Sequence, residues 1–183
     1  PNAPSGTVVR LDALRELAGR LDGPLVVDEA YGDFGSVSAL ELIAEHANVV
    51  VTRSFSKSFS LAGVRVGLAF AQEPVIREFF KVKDSYNLNR VSIAAAAAAL
   101  ADAQWMRDNV ERIRHTRGRL QSGLEALGYR VLPSETNFVL ARQPGREQGG
   151  IYRALRERGI LVRYFDSEGL RDALRITVGT DEE

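Results

Sequence analysis

At 183 residues the chain is long enough for one domain or one and a fraction, and 45% hydrophobic with 26% charged residues is an ordinary globular balance. Lys plus Arg equals Asp plus Glu at 24 each, so net charge argues for neither a nucleic-acid partner nor an anionic membrane surface. The absence of cysteine removes disulfides and thiolate metal sites, and the longest apolar run, around Ile93 to Ala101, falls far short of the about 20 residues a membrane span needs.

The opening "PNAPSGT" is a turn-like segment that predicts the middle of a longer protein. Leucines at 11, 14, 17 and 21 have near-helical spacing, and Asp22-Gly23-Pro24 stops the helix. "PLVVDEAY" reads as a short apolar strand ending in acidic residues. Leu40 to His46 reads as a helix, and "NVVVTRSFS" as a second strand. Apolar runs without alternation suit a parallel sheet covered on both faces, and alternating strand and helix predict an α/β fold with a mostly parallel sheet. "GVRVGLAFA" is a third strand, followed by a helix over "EPVIREFFKVKD".

From Ser92 the pattern turns helical. Six consecutive alanines in "SIAAAAAAL" predict a small-residue helix packed tightly on a neighbour, with a break near Gln104 and a cap at Gly128. Short strands in "YRVLPS", "TNFVLAR", "ILVRYF" and "ALRITVG", with a helix over 150–158, then form a compact α+β unit. The expected division is a larger domain over 1–118 and a smaller one over 119–183.

The chemistry concentrates in "TRSFSKSFSLAGVRVG", Thr52 to Gly67, beyond the carboxyl end of the second strand, the edge where open α/β sheets bind ligands. Hydroxyls of Ser54 and Ser56 with the Arg65 guanidinium make a phosphate cradle. Lys57, flanked by Phe55 and Phe59, would be a desolvated amine nucleophile beside that phosphate. An amine next to a phosphate site points to an aldehyde-bearing phosphorylated cofactor held as a Schiff base, with pyridoxal phosphate the obvious candidate. Such a ring needs a carboxylate at its nitrogen, and "VVDEAY" offers Asp28, with Tyr31 placed to hydrogen-bond the ring oxygen. Singly these signals are weak; a strand-ending Asp is usually a loop start, and an isolated Arg usually a surface ion pair. In this order, all on strand-to-loop edges, they are far more specific. His46 and His115 have no companion ligand at metal spacing, so no metal site is expected.

The strings "PNAPSGT", "VVDEAYGDF", "TRSFSKSFSLAGVRVG", "KDSYNLN", "PSETNFVLAR", "GILVRYF" and "LRITVGT" resemble, in order, the histidinol-phosphate aminotransferases of the fold-type I pyridoxal enzymes. The resemblance covers the whole chain but only about the carboxy-terminal half of such an enzyme. It implies part of the cofactor-binding large domain followed by the small α+β domain. It also implies an isolated piece that is truncated and inactive alone. By this likeness Lys57 matches the Schiff-base lysine, Asp28 the partner of the ring nitrogen and Tyr31 that of the ring oxygen. Ser54, Ser56 and Arg65 match the phosphate ligands. Arg175 and Arg163 match arginines at the anionic ends of the substrate, where a planar guanidinium is not replaceable by lysine.

Where the family often reads P-N-N-P-T-G, this chain has Ala3 beside Asn2, so the asparagine contact to the cofactor is lost or made by Asn2. The family's glycine-containing phosphate turn and ring-stacking aromatic fall outside these 183 residues. The resemblance implies transamination between histidinol phosphate and a 2-oxo acid, 2-oxoglutarate, in histidine biosynthesis, by a cytoplasmic homodimer. Three alternatives stay open: an aminotransferase for aromatic amino acids, a threonine-phosphate decarboxylase, and a non-catalytic fragment.

Overall fold

The computed structural model describes residues 1–183, which divide into two compact units. The first comprises Pro1 and Val9–Val110; the second comprises Asn2–Val8 and Glu111–Glu183.

In the first unit, helix α1 (Leu11–Arg20) packs Leu11 and Leu14 onto a core of Ala18, Ala39, Leu42, Val49 and Val51, whereas Leu17 and Leu21 stay exposed. A helix end leaves carbonyls without intrahelical partners. Here Asn48 Nδ2 donates to the carbonyls of Ala18 (3.0 Å), Leu21 (3.3 Å) and Gly23 (3.1 Å), fixing the turn into strand β1 (Leu25–Asp28). The expected helix over 40–46 is a 3-10 turn at Ala39–Glu41 running into the single turn α2 (Leu42–Glu45). Strand β2 (Val49–Ser54) pairs parallel with β1, Asp28 lying opposite Thr52. Val49, Val50 and Val51 are all buried, as an apolar run covered on both faces requires.

Strand β3 (Gly67–Phe70) pairs with β2 antiparallel, Ser54 opposite Gly67, so the sheet of order β1-β2-β3 is mixed. Helix α3 (Glu73–Val82) follows. Helix α4 (Arg90–Ala101) starts at Asn89, whose side chain accepts from the Ser92 N–H at 2.8 Å. The close packing expected of its alanines is local: Ala96, with Ala99 beside it, meets Phe55 and Val66, and Ser92 Oγ donates to the Val64 carbonyl at 2.8 Å. Helix α5 (Ala103–Ala126) begins after Asp102, and the unit boundary falls inside it.

The second unit is an antiparallel sheet of order β4-β5-β7-β6, from β4 (Arg130–Val131), β5 (Phe138–Arg142), β6 (Arg163–Tyr164) and β7 (Ala173–Thr177), with α6 (Gly149–Glu157) between β5 and β6. Gly128, at φ +83°, supplies the left-handed turn after α5. Val131, Val139 and Ala141 pack with Leu120 and Leu124 of α5. No helix is long and apolar enough to cross a membrane.

Candidate functional site

The parallel pairing of β1 and β2 brings Asp28 and Thr52 side by side at the strands' carboxyl ends. Asp28 Oδ1 accepts from the Ala30 N–H at 2.9 Å and from Thr52 Oγ1 at 3.4 Å, which orients the carboxylate at the sheet edge. It is exposed, not buried as a ring-nitrogen partner would be when covered. Two residues beyond Thr52, the Ser54 hydroxyl accepts from the Ser56 N–H at 3.1 Å and so curls the chain into the loop. Phe55 N–H donates to the Val66 carbonyl at 3.2 Å and Leu61 N–H to the Phe55 carbonyl at 3.0 Å, closing the loop onto β3.

Asp28, Thr52, Ser54, Ser56 and Arg65 line one cleft of about 290 Å³. Arg65 sits at φ +55°, ψ +46°, a left-handed conformation unusual for a side chain with a Cβ. Its Nη1 donates to the Ala62 carbonyl at 3.0 Å and reaches Ser56 Oγ at 3.5 Å; it has no carboxylate partner. The cleft therefore offers an uncompensated guanidinium with two hydroxyls, suited to a phosphate, and a carboxylate, suited to a protonated nitrogen.

Lys57 follows Ser56 directly but is not part of that lining. Its Nζ stands 5.2 Å from the centre of the Tyr31 ring, an ammonium over an aromatic face. Phe55 and Phe59 lie 4.8 Å apart centre to centre and pack into the core with Val66 and Ala96. The aromatic neighbour of the amine is Tyr31.

A second group of charged side chains lies behind the loop. Arg53 Nη2 meets Glu29 Oε2 at 2.7 Å and Nη1 meets Asp33 Oδ1 at 2.5 Å. Glu29, 5% exposed, also accepts from Ser38 Oγ (2.8 Å) and the Ala39 N–H (2.5 Å). These residues were not singled out from the sequence. The signal was the alternation of strand side chains, which turns Asp28 and Thr52 to one face and Glu29 and Arg53 to the other.

In the second unit, Asn2 is exposed, with its Nδ2 donating to Ser5 Oγ at 3.0 Å. Arg163 and Arg175 are register partners on β6 and β7. The Arg175 guanidinium lies 4.9 Å from the Phe138 ring centre and 5.8 Å from that of Phe165, which Arg163 also faces at 5.4 Å. Neither arginine has a carboxylate partner, and Arg175 Nε is buried without a hydrogen bond. The unit thus presents two adjacent cations on an aromatic seat. No group of three or more His, Asp or Glu side chains is placed to hold a metal ion.

A sequence model of the family described as "Aminotransferase class I and II" matches residues 1–183. The histidinol-phosphate aminotransferase of Citrifermentans bemidjiense is 50% identical over 183 residues, all of this chain and 52% of that protein. That of Geotalea daltonii is 49% identical over the same span, 53% of its length. Among solved structures, histidinol-phosphate aminotransferase from Sinorhizobium meliloti in complex with pyridoxal-5'-phosphate superposes with a TM-score of 0.88 at 28% identity, covering 99% of this chain and 52% of that one. The chain spans about half the length of the relatives it matches.

Proposed function

The chain belongs to the aminotransferase class I and II family, and from that premise we propose that it supplies the lysine-bearing part of a pyridoxal-phosphate site. At that site an amino group passes between histidinol phosphate and a 2-oxo acid, 2-oxoglutarate, in histidine biosynthesis. The observation that carries the proposal is the cleft where Asp28, Ser54, Ser56 and Arg65 converge, with Lys57 next in the chain. The substrate assignment rests on the names of the relatives at 49% and 50% identity.

The donor set fits the cofactor. Arg65 has no internal counter-ion, and Ser54 and Ser56 add hydroxyl donors, so the three would hold its phosphate. Asp28, fixed at the strand end, would keep a proton on the ring nitrogen, and the Tyr31 hydroxyl would bond the ring oxygen. Bound there, pyridoxal phosphate supplies an aldehyde that reacts with amines and a ring that accepts the electron pair released at the substrate carbon. Lys57 Nζ would hold the cofactor covalently in the resting state and, once displaced by the incoming amine, carry a proton to and from the substrate carbon as general acid and base. Arg175 and Arg163 would bind the anionic ends of the substrate, their mutual repulsion relieved by the ligand's charge. By the resemblance, Asn2 would contact the cofactor. The protein would work as a cytoplasmic homodimer.

Pyridoxal phosphate added to the chain, fixed with borohydride and mapped by peptide mass should mark Lys57. On protein that turns over histidinol phosphate, Lys57→Ala should abolish amino transfer. Near-normal turnover in that variant would remove Lys57 from the chemistry, and carbon dioxide release from threonine phosphate, which unlike histidinol phosphate carries a carboxylate, would make the protein a decarboxylase.

A further inference from the structure

The loop that carries Lys57 is closed by a carboxylate to which the proposed chemistry gives no task. Asp33 lies in the 3-10 turn Gly32–Phe34, two residues after Tyr31. Its Oδ1 accepts from Arg53 Nη1 at 2.5 Å and its Oδ2 accepts from Ser58 Oγ. Arg53 and Ser58 are the residues on either side of the segment Ser54–Lys57, so one side chain spans both ends of it. Ser58 is 3% exposed, which makes its bond to Asp33 the outlet for a buried hydroxyl. Arg53 is held in turn by Glu29 and by Ser38 Oγ at 3.0 Å. Between these groups Gly32 lies against the guanidinium: a Cβ there would come within 2.9 Å of Arg53 Cζ.

We propose that Asp33 is a positioning residue, a two-pronged clasp that fixes Lys57 over the Tyr31 ring and holds the Ser54 and Ser56 hydroxyls at the cleft. A carboxylate offers one oxygen to the donor at each end of the segment, and an ionised one binds both strongly. The main-chain bonds of the loop do not replace it. Ser60 N–H to the Lys57 carbonyl and Leu61 N–H to the Phe55 carbonyl order the later half, and Phe55 N–H to the Val66 carbonyl ties Phe55 to the returning chain; the one bond with both ends inside residues 53–58 runs from the Ser56 N–H to Ser54 Oγ. The clasp also joins two parts of the site that are distant in sequence, since Asp33 belongs to the turn that carries Tyr31 and holds the loop that carries Lys57.

The consequence for Lys57 rests on the cofactor reading above; the clasp itself does not. The chain has three lysines, and Lys81 and Lys83 are exposed, so they serve as internal references. Two measurements on the 183-residue chain test the idea: hydrogen exchange of the amides over 54–60, and the share of pyridoxal phosphate fixed by borohydride on Lys57 relative to Lys81 and Lys83. Asp33→Ala should speed exchange over 54–60 about tenfold or more, with β5 and β7 unaffected, and lower the Lys57 share by a similar factor. Asp33→Asn, which keeps an oxygen for Arg53 and a donor for Ser58, should restore most of both, an effect that loss of bulk fold stability does not produce. Ser58→Ala removes one prong and serves the same test if Asp33→Ala unfolds. An Asp33→Ala chain, still protected over β1 and β2, with both readouts within about twofold of wild type would overturn the proposal. A wild-type chain that shows no preference for Lys57 would sink the cofactor reading instead, and exchange alone then decides the clasp.

Discussion

Arg163 and Arg175 stand directly opposite each other on neighbouring antiparallel strands, so their side chains share one face of the sheet. Like charges in that position are unfavourable by roughly 0.2–1 kcal/mol, and burial of Arg175 Nε without a partner adds to the cost. An anion between them reverses the sign. Inorganic phosphate should therefore slow exchange at the amides of β6 and β7 more than chloride at equal ionic strength. Arg175→Met should abolish that response while leaving stability in phosphate-free buffer unchanged or higher by up to about 1 kcal/mol. A phosphate response that survives the substitution would separate the pair from anion binding.

Arg65 allows backbone and side chain to be tested apart. Its left-handed conformation is one that glycine adopts freely, so Arg65→Gly should keep or raise stability by up to about 1 kcal/mol in urea titration. The same variant should weaken pyridoxal phosphate binding at least about tenfold, because the charged donor is gone. Arg65→Lys should fall between the two in affinity, since it keeps the charge but not the fork. Unchanged affinity in Arg65→Gly would place the phosphate elsewhere.

Gly32→Ala should cost about 1–3 kcal/mol, since the new methyl meets Arg53 Cζ at 2.9 Å and Glu29 Cβ and Oε2 at 3.0 Å, within a buried ion pair that cannot swing aside. Chemical denaturation measures this. Loss below about 0.5 kcal/mol would mean that the Glu29–Arg53 pair is looser than its hydrogen bonds suggest.

Glu45 gives a pH prediction. The hydrogen bond from Arg15 holds its carboxyl below the usual carboxylate range, opposed by desolvation and reinforced by the charge of Arg15 and by neighbouring His46. The bond spans 2.6 Å and, with Arg15 to Glu41 at 3.1 Å, ties α1 to α2 and to the turn before it. A carboxyl lowered in the folded state contributes stability above its ordinary value of 4.5 and loses it as pH falls through the lower folded value. The stability gap between wild type and Glu45→Gln should be small, present at neutral pH, and lost as the pH falls through the lowered folded value. High salt should shrink it at neutral pH. A gap that is unchanged at low pH would assign the effect to packing.

Most elements were legible because their signals are local. Periodicity and stop residues located α1, the apolar runs located β1 and β2, and Gly128 marked the end of α5. The loop residues that converge on the cleft were legible because Asp28, Ser54 and Ser56 leave the carboxyl ends of two paired strands. What sequence did not disclose depends on partners far along the chain. The antiparallel direction of β3 is set by how the loop over 55–66 folds back. The inward course of Phe55 and Phe59 depends on Val66 and Ala96, and the Glu29–Arg53–Asp33–Ser58 contacts join elements that are adjacent in space but separated by about two dozen residues in sequence. Charged residues beside a motif read as solvated until their counterparts are located.

Ser54 and Gly67 occupy a single rung of the β2–β3 ladder, so the excursion bearing Lys57 departs and returns at one point of the sheet. Such an excursion is topologically a hairpin cap. Lengthening its outer part, around Ser60–Gly63, adds only the slowly growing entropy of a larger ring and leaves both strands in register. Lys57, clasped at both ends of its segment, is thus independent of the length of that apex, and insertions there can reshape the outer edge of the loop without dislodging the base on which it stands.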